Sequence, residues 1–365
     1  MKMISVHRVN EDDRLAKTIY DEDGQPLLKS GVTLTSRLLQ RLKDKGISFI
    51  YIEEEGTEDI FASDTIDPIK RAKSIKSIKH HFEGITKMTT LQKVVNLDSV
   101  SSSFSSIVNT ILDDIYGKKE AVSLLSDVIC YDSYVFHHSL NVTIYALSLG
   151  KELGLGEKDL HKLGMGAILH DVGKVGIPET VLNKQESLTD EEFNMIKEHT
   201  TVGFDMIRRS HTMSLLTAHC AYQHHERING TGYPRQLKGN EIHDFAKIIG
   251  IVDVFDAVTS NRVYRGARLP HEGLEMLYSG ASTLFDKRMV EVFAHTVAIY
   301  PVGLEVTLSD GSVGVVVETN KNMPSRPRVR VLSRLGQPIQ PIEIDLADTL
   351  NVTITEAESI KHEQV

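Results

Sequence analysis

The feature that most constrains this chain is a set of imidazoles and carboxylates carried by apolar segments with helical spacing: His138, His170, Asp171, His199, His224, His225 and Asp253. Leu140, Ile144 and Leu147 recur at helix spacing, and Ile168-Leu169, Leu215-Leu216-Ala218 and Ile248 to Val258 continue the pattern. One histidine on such a face is an ordinary core residue. Seven such groups in separate helical segments must either converge or be buried at a cost. A mixed nitrogen and oxygen set suits two adjacent divalent transition metals such as iron or manganese, and fits a closed, sulfur-rich zinc site poorly. An aspartate offers two oxygens and can bridge a metal pair. On a helix His170 and Asp171 point about 100° apart, and Lys174, one turn after His170, shares its face. An ammonium there suits an oxygen of a bound phosphate.

Length and charge narrow the class. A chain of 365 residues suggests two or three domains. Its net charge of −9, from 50 acidic and 41 basic residues, lacks the basic field of a protein that binds nucleic acid polymers. Cys130 and Cys220 stand far apart, so no disulfide framework is expected and a reducing cytoplasm fits best. No run of eighteen apolar residues predicts a membrane span.

The pattern predicts a mainly α protein. Residues 1–55 read as a small α/β module: a hairpin around Asp21-Glu22-Asp23-Gly24, a helix with Leu38, Leu39 and Leu42 on one face stopping at Gly46, and a strand from Ser48 to Ile52. The acidic run from Glu53 to Asp59 reads as a solvated boundary. Residues 56–120 read as a helical linker region, where the adjacent His80 and His81 are surface residues. Residues 121–300 form the helical domain, with Gly150 and Gly154 breaking its first run. Residues 301–365 read as a small β module and tail, with a hairpin turning at Ser309-Asp310-Gly311-Ser312 and a second turn at Gly336-Gln337-Pro338.

His170-Asp171-Val172-Gly173-Lys174 resembles the signature of the HD phosphohydrolase superfamily, and His224-His225-Glu226 through Gly232-Tyr233-Pro234 resembles that of its HD-GYP branch. The likeness runs from about residue 125 to 300, through His138, His199, Asp253-Val254-Phe255-Asp256 and Tyr264-Arg265. It implies an all-helical HD-GYP domain that binds metal through His138, His170, Asp171, His199, His224, His225 and Asp253, with Asp171 as the bridge. It also implies phosphate contact by Lys174, a substrate-bordering loop at Tyr233, and nucleotide phosphates held by Arg262 and Arg265. Members with three metals carry a Glu four residues before the first histidine. Tyr134 stands there, so two divalent ions, iron or manganese, are expected, although Asp132 lies nearby. Asn229 and Gln236 replace an Asp and a Gly of the usual loop.

The implied activity is hydrolysis of cyclic di-GMP to pGpG, and onward to GMP, with water activated between two cations and with Asp171 and Lys174 at the catalytic centre. Two alternatives accompany it: hydrolysis of another cyclic dinucleotide, and a metal-loaded cyclic di-GMP sensor with negligible turnover. A homodimer, and a protein partner for the flanking modules, complete the expectations.

Overall fold

Alternating and continuous apolar runs at the two chain ends build the strands, and the stripes between them build the helices. The computed structural model describes residues 1–21, 24–86, 90–117, 122–123, 134–182, 184, 186–260 and 268–357. The N-terminal module comprises β1 (Lys2–Ser5), β2 (Ile19–Tyr20), β3 (Pro26–Leu28), helix α1 (Ser36–Asp44) and β4 (Phe49–Ile52). β1 pairs antiparallel with β4, and β2 with β3 as the expected hairpin. Thr35 caps α1 by accepting from the Leu38 N–H; Leu39 and Leu42 turn inward, and Gly46, at φ +71°, follows its end.

Two long helices follow, α2 (Pro68–Thr86) and α3 (Thr90–Tyr116). Their polar composition reads as a linker, yet each buries one apolar stripe. Ile78 and Phe82 of α2 and Phe104 and Val108 of α3 join the same core as Leu140, Leu147 and Leu163. The segment is therefore packed into the helical body. His80 is exposed, and His81 sets its ring edge against Phe104.

The body continues with α4 (Tyr134–Glu152), α5 (Glu157–Leu169), α6 (Glu179–Leu182), α7 (Asp190–Lys197), α8 (His199–Ile207), α9 (Leu215–Gln223), α10 (Asp244–Thr259), α11 (Pro270–Gly280) and α12 (Lys287–Thr296). α10 is buried along most of its length and packs on α4, α9 and α11, as a helix apolar on all sides must. Gly150 does not break α4 as expected. It lies inside the helix, where a Cβ would press on Leu163 and Leu160, and the chain turns only at Gly154, at φ +83°.

The C-terminal module is a five-stranded antiparallel sheet of β5 (Glu305–Leu308), β6 (Ser312–Glu318), β7 (Arg328–Arg334), β8 (Gln337–Asp345) and β9 (Ile354–Ala357), in the order β8-β7-β6-β5-β9. The second turn falls at Leu335-Gly336, both at positive φ, so Gln337 and Pro338 already belong to β8. The two end modules share a core: Met3, Phe49 and Tyr51 pack with Leu304, Val316 and Val329. Tyr51 also donates to the Val302 carbonyl at 3.0 Å. Glu53, Glu55, Glu58 and Asp59 are exposed, but Arg330 of β7 holds Asp59 and the Gly56 carbonyl, so the acidic run is fastened to the sheet. Among the described residues no helix is long and apolar enough to cross a membrane.

Candidate metal centre

The seven candidate ligands come from five places in the chain. His138 stands on α4, His199 opens α8, His224 follows the last residue of α9 with His225 beside it, and Asp253 lies on α10. The expectation that His170, Asp171 and Lys174 share one helix needs correction. α5 ends at Leu169, His170 caps it, and Asp171, at φ −99° and ψ 7°, leads into a 3-10 turn over Val172–Gly176. The tighter turn points Lys174 at Asp171 rather than along His170, with Nζ 2.5 Å from Asp171 Oδ2.

Asp171 lies between two sets of imidazoles. Its Oδ2 lies 3.4 Å from His170 Nε2 and 3.7 Å from His138 Nε2. Its Oδ1 lies 3.4 Å from His199 Nε2 and 3.8 Å from His224 Nε2. Asp253 spans the same two sets, with Oδ1 3.2 Å from His138 Nε2 and Oδ2 3.9 Å from His225 Nδ1. Ligand atoms of His138, His170 and Asp171 lie within 4.8 Å of one another, as do those of Asp171, His199, His224 and His225. Each group could hold a metal ion, and they share one carboxylate.

The ring orientations follow from the backbone. Nδ1 of His170 bonds the Ala167 carbonyl at 2.6 Å, Nδ1 of His199 that of Ile196 at 2.6 Å, and Nδ1 of His224 that of Ala221 at 3.0 Å. A carbonyl only accepts, so each Nδ1 carries the proton and each Nε2 lone pair faces Asp171. His138 is held instead by Asp256, whose Oδ2 lies 2.7 Å from its Nδ1; Asn141 donates to the other Asp256 oxygen at 2.8 Å. His170 Nε2 and Asp171 Oδ1 are buried without a hydrogen-bond partner. Leaving such groups unpaired costs about 1–3 kcal/mol each, and a cation in each of the two groups would satisfy them. The donor chemistry fits a divalent metal.

Electrostatics favour the same use at three of the imidazoles. Burial pushes His199, His224 and His225 below the ordinary imidazole range, His225 to about 3, so all three are neutral at physiological pH. His138 moves the other way: burial would lower it, but hydrogen bonds to Asp253 and Asp256 raise it to about 9. Burial would raise Asp171 as well, yet Lys174 and His170 hold it well below the carboxylate range. The His138 hydrogen bond and His225 do the same for Asp253.

Two glycines let the ligand-bearing elements meet. A Cβ on Gly173 would stand 1.9 Å from the His199 carbonyl, and one on Gly250 would stand 2.6 Å from that of His224. The loop after the histidine pair is tied down by Glu226, which is buried and accepts from the Arg235 N–H at 2.7 Å and the Leu237 N–H at 3.0 Å. This places the Tyr233 ring over His225, centroids 4.7 Å apart and 27° from parallel. Asn229 accepts from the backbone and hydroxyl of Thr231, so the turn keeps its side-chain bond without the aspartate charge. Gln236 adopts φ +57°, a conformation that favours glycine.

The sequence reading thus named the groups that the structure brings together, but not those that orient them. Asp256 and Glu226 lie inside the motifs without a role that the sequence reveals, and Asn141 and Gly250 lie in no motif. Arg262, Arg265 and Asp132 lie outside the described residues, as does the side chain of Tyr134.

Comparison with known proteins finds likeness over the same part of the chain. The HD domain family matches residues 123–289, and the KOW domain associated with HD domain matches residues 305–364. A Pseudomonas aeruginosa protein named cyclic di-GMP phosphodiesterase PA4108 is 35% identical over 217 residues, 59% of this chain and 52% of that protein. A Thermotoga maritima cyclic di-GMP phosphodiesterase is 36% identical over 182 residues, 50% of this chain and 49% of that one. A Vibrio cholerae protein named 3'3'-cGAMP-specific phosphodiesterase 3 is 27% identical over 237 residues, 64% of this chain and 50% of that one. The chain spans about half the length of these curated relatives. Among solved structures, Bd1817, an HDG"Y"P protein from Bdellovibrio bacteriovorus, shares the fold at a TM-score of 0.50 and 19% identity, covering 80% of this chain and 97% of that one. With its paired carboxylates among five histidines and its Gly-Tyr-Pro loop, the segment 123–289 is an HD domain similar to those of the HD-GYP branch.

Proposed function

We propose that this protein is a metal-dependent phosphodiesterase that opens cyclic di-GMP to the linear dinucleotide pGpG, using two divalent ions of iron or manganese. The observation that carries the reading is Asp171, whose two oxygens each face a different set of imidazoles while Asp253 spans the same gap. His138, His170, Asp171 and Asp253 would hold one ion, and Asp171, His199, His224 and His225 the other. Bound ions supply a Lewis acid that polarises phosphoryl oxygens and lowers the pKa of water.

The remaining work falls to the chain. Lys174, partly exposed beside Asp171, offers an ammonium to a phosphate oxygen. Tyr233 forms a wall of the substrate site. Burial, together with Asp253 and Asp171, raises its phenol, so its Oη keeps the proton and can donate to an anionic substrate. The Lys197 ammonium stands 5.8 Å from the centre of the same ring and adds positive charge at that wall. Glu226 keeps the loop in this register, which limits the reorganisation needed when substrate binds.

The names of the Vibrio cholerae relatives support a second substrate, 3'3'-cGAMP. The test is chromatography of products from cyclic di-GMP and 3'3'-cGAMP, incubated with protein loaded with Mn²⁺ or, without oxygen, Fe²⁺. Faster appearance of pGpG is the expected result. Faster opening of 3'3'-cGAMP transfers the reading to that substrate. Tight binding of cyclic di-GMP without turnover under any metal overturns the enzyme and favours a sensor.

A further inference from the structure

We propose that Arg71 is a positioning residue for the metal centre, so that helix α2, which precedes the matched HD domain, is part of the functional unit. This rests on the metal-centre reading above, but not on which nucleotide is the substrate. Arg71 is 6% exposed, Asn141 2%, Asp256 1% and His138 3%, and the four form one buried chain across α2, α4 and α10. Arg71 Nη2 donates to Asn141 Oδ1. Asn141 Nδ2 donates to Asp256 Oδ1 at 2.8 Å, and Asp256 Oδ2 accepts from His138 Nδ1 at 2.7 Å. Ser260 adds a donor to Asp256 Oδ1 at 2.9 Å.

The chemistry at each link allows one arrangement. A guanidinium only donates and a carboxylate only accepts, so the group between them must accept on one side and donate on the other. An amide does this, and its two neighbours fix which way it faces. Asp256 then holds the proton on His138 Nδ1 and leaves Nε2, which faces Asp171 and Asp253, as the ligating atom. Without Arg71 the Asn141 oxygen has no donor in a buried site. The amide can then rotate, place its oxygen against Asp256 and release the carboxylate that orients His138. α2 also packs against the 3-10 turn that carries Lys174. The matched domain, residues 123–289, contains neither contact.

The test is Mn²⁺ titration of the full-length metal-free protein, with free ion followed by electron paramagnetic resonance, beside thermal melts. R71M and R71Q both remove the donor, the glutamine amide being too short to reach Asn141, and R71K keeps a longer, charged donor. I78V, a core change on the same helix, reports general loosening of α2. The expected result is about tenfold or greater loss of Mn²⁺ affinity in R71M and R71Q, the usual effect of losing an outer partner of a ligand, with substantial recovery in R71K and none lost in I78V. If R71M does not fold, the comparison of R71Q with R71K decides the matter. Wild-type affinity in R71Q overturns the inference, as does an equal loss in I78V. Wild-type protein that binds no Mn²⁺ overturns the metal centre itself, and with it the inference.

Discussion

The Gly173→Ala substitution tests how tightly the site is built. A Cβ at this position would lie 1.9 Å from the His199 carbonyl oxygen and 2.6 Å from the Gly203 nitrogen, whereas ordinary contacts begin at 3.4 Å. All of these are backbone atoms, so no side-chain rotation relieves the clash, and the 3-10 turn and α8 must separate by about 1.5 Å. His199 is the first residue of α8, and its Nε2 stands 3.4 Å from Asp171 Oδ1. Metal–nitrogen distances tolerate only about 0.2 Å, so the shift removes His199 from any shared ion. Overpacking of this kind costs about 1–3 kcal/mol of stability. Gly176 in the same turn is the control, because its added Cβ would meet only the end of Val202 at 3.4 Å. The expected outcome is that G173A binds one Mn²⁺ fewer than wild type and melts several degrees lower, while G176A keeps both properties. The assay is metal content by mass spectrometry on dialysed protein, with circular dichroism melts. G173A protein with full metal content and unchanged melting would refute the close approach of turn and helix.

Three other substitutions probe separate links. E226Q replaces an acceptor of two loop N–H groups by an amide that can accept only one, at a cost of about 1–3 kcal/mol. It should raise KM for the cyclic dinucleotide with little change in Mn²⁺ affinity; the reverse pattern would refute its role in the loop. Q236G relieves a left-handed backbone worth about 1 kcal/mol, offset in part by a freer unfolded chain. The melting temperature should hold or rise, and a fall would show that the glutamine side chain contributes more than its backbone costs. For R330A the pH dependence has a defined sign. Hydrogen bonding to Arg330 holds the exposed Asp59 carboxyl at about 2, below its ordinary 3.8. A depressed carboxylate stabilises the fold above its unfolded value, and that contribution disappears as pH falls through the folded one. The stability gap between wild type and R330A should therefore narrow between pH 4 and pH 2, and also in about 1 M salt, which screens exposed pairs. A gap indifferent to both would refute the ion pair as a fastener of the acidic run.

What the sequence made legible follows from which interactions are local. Helical stripes, Gly46 and the Ser309–Ser312 turn are written within a few residues of where they act, and the structure carries them as read. The seven candidate ligands were legible for a different reason: histidines and carboxylates in apolar segments are costly unless they meet, so their presence implies convergence without a known path. The geometry at residue 170 was not legible, because whether a helix continues for one more turn is decided by what packs on it. Here α5 gives way to a 3-10 turn that lies close against α8 at Gly173 and sets Lys174 on Asp171.

The same reasoning explains why residues 56–120 read as a linker. A helix whose polar side is long and whose apolar stripe is narrow carries little periodic signal; its membership in the core depends on partners dozens of residues away, here α4 and α5. Arg71 is the extreme case. Its neighbours in sequence mark it as a basic residue on a polar helix, and only the fold brings it to Asn141, 70 residues onward, and through that amide to Asp256. A buried guanidinium is tolerated only where acceptors are fixed in advance, so the amide and carboxylate that receive it must themselves be held. His138 and Ser260 hold Asp256, and Asp256 holds Asn141. The chain of bonds is therefore mutually dependent. Positional tolerance should be lower at Asn141 than at Ser260, because the amide is the one member that must both accept and donate.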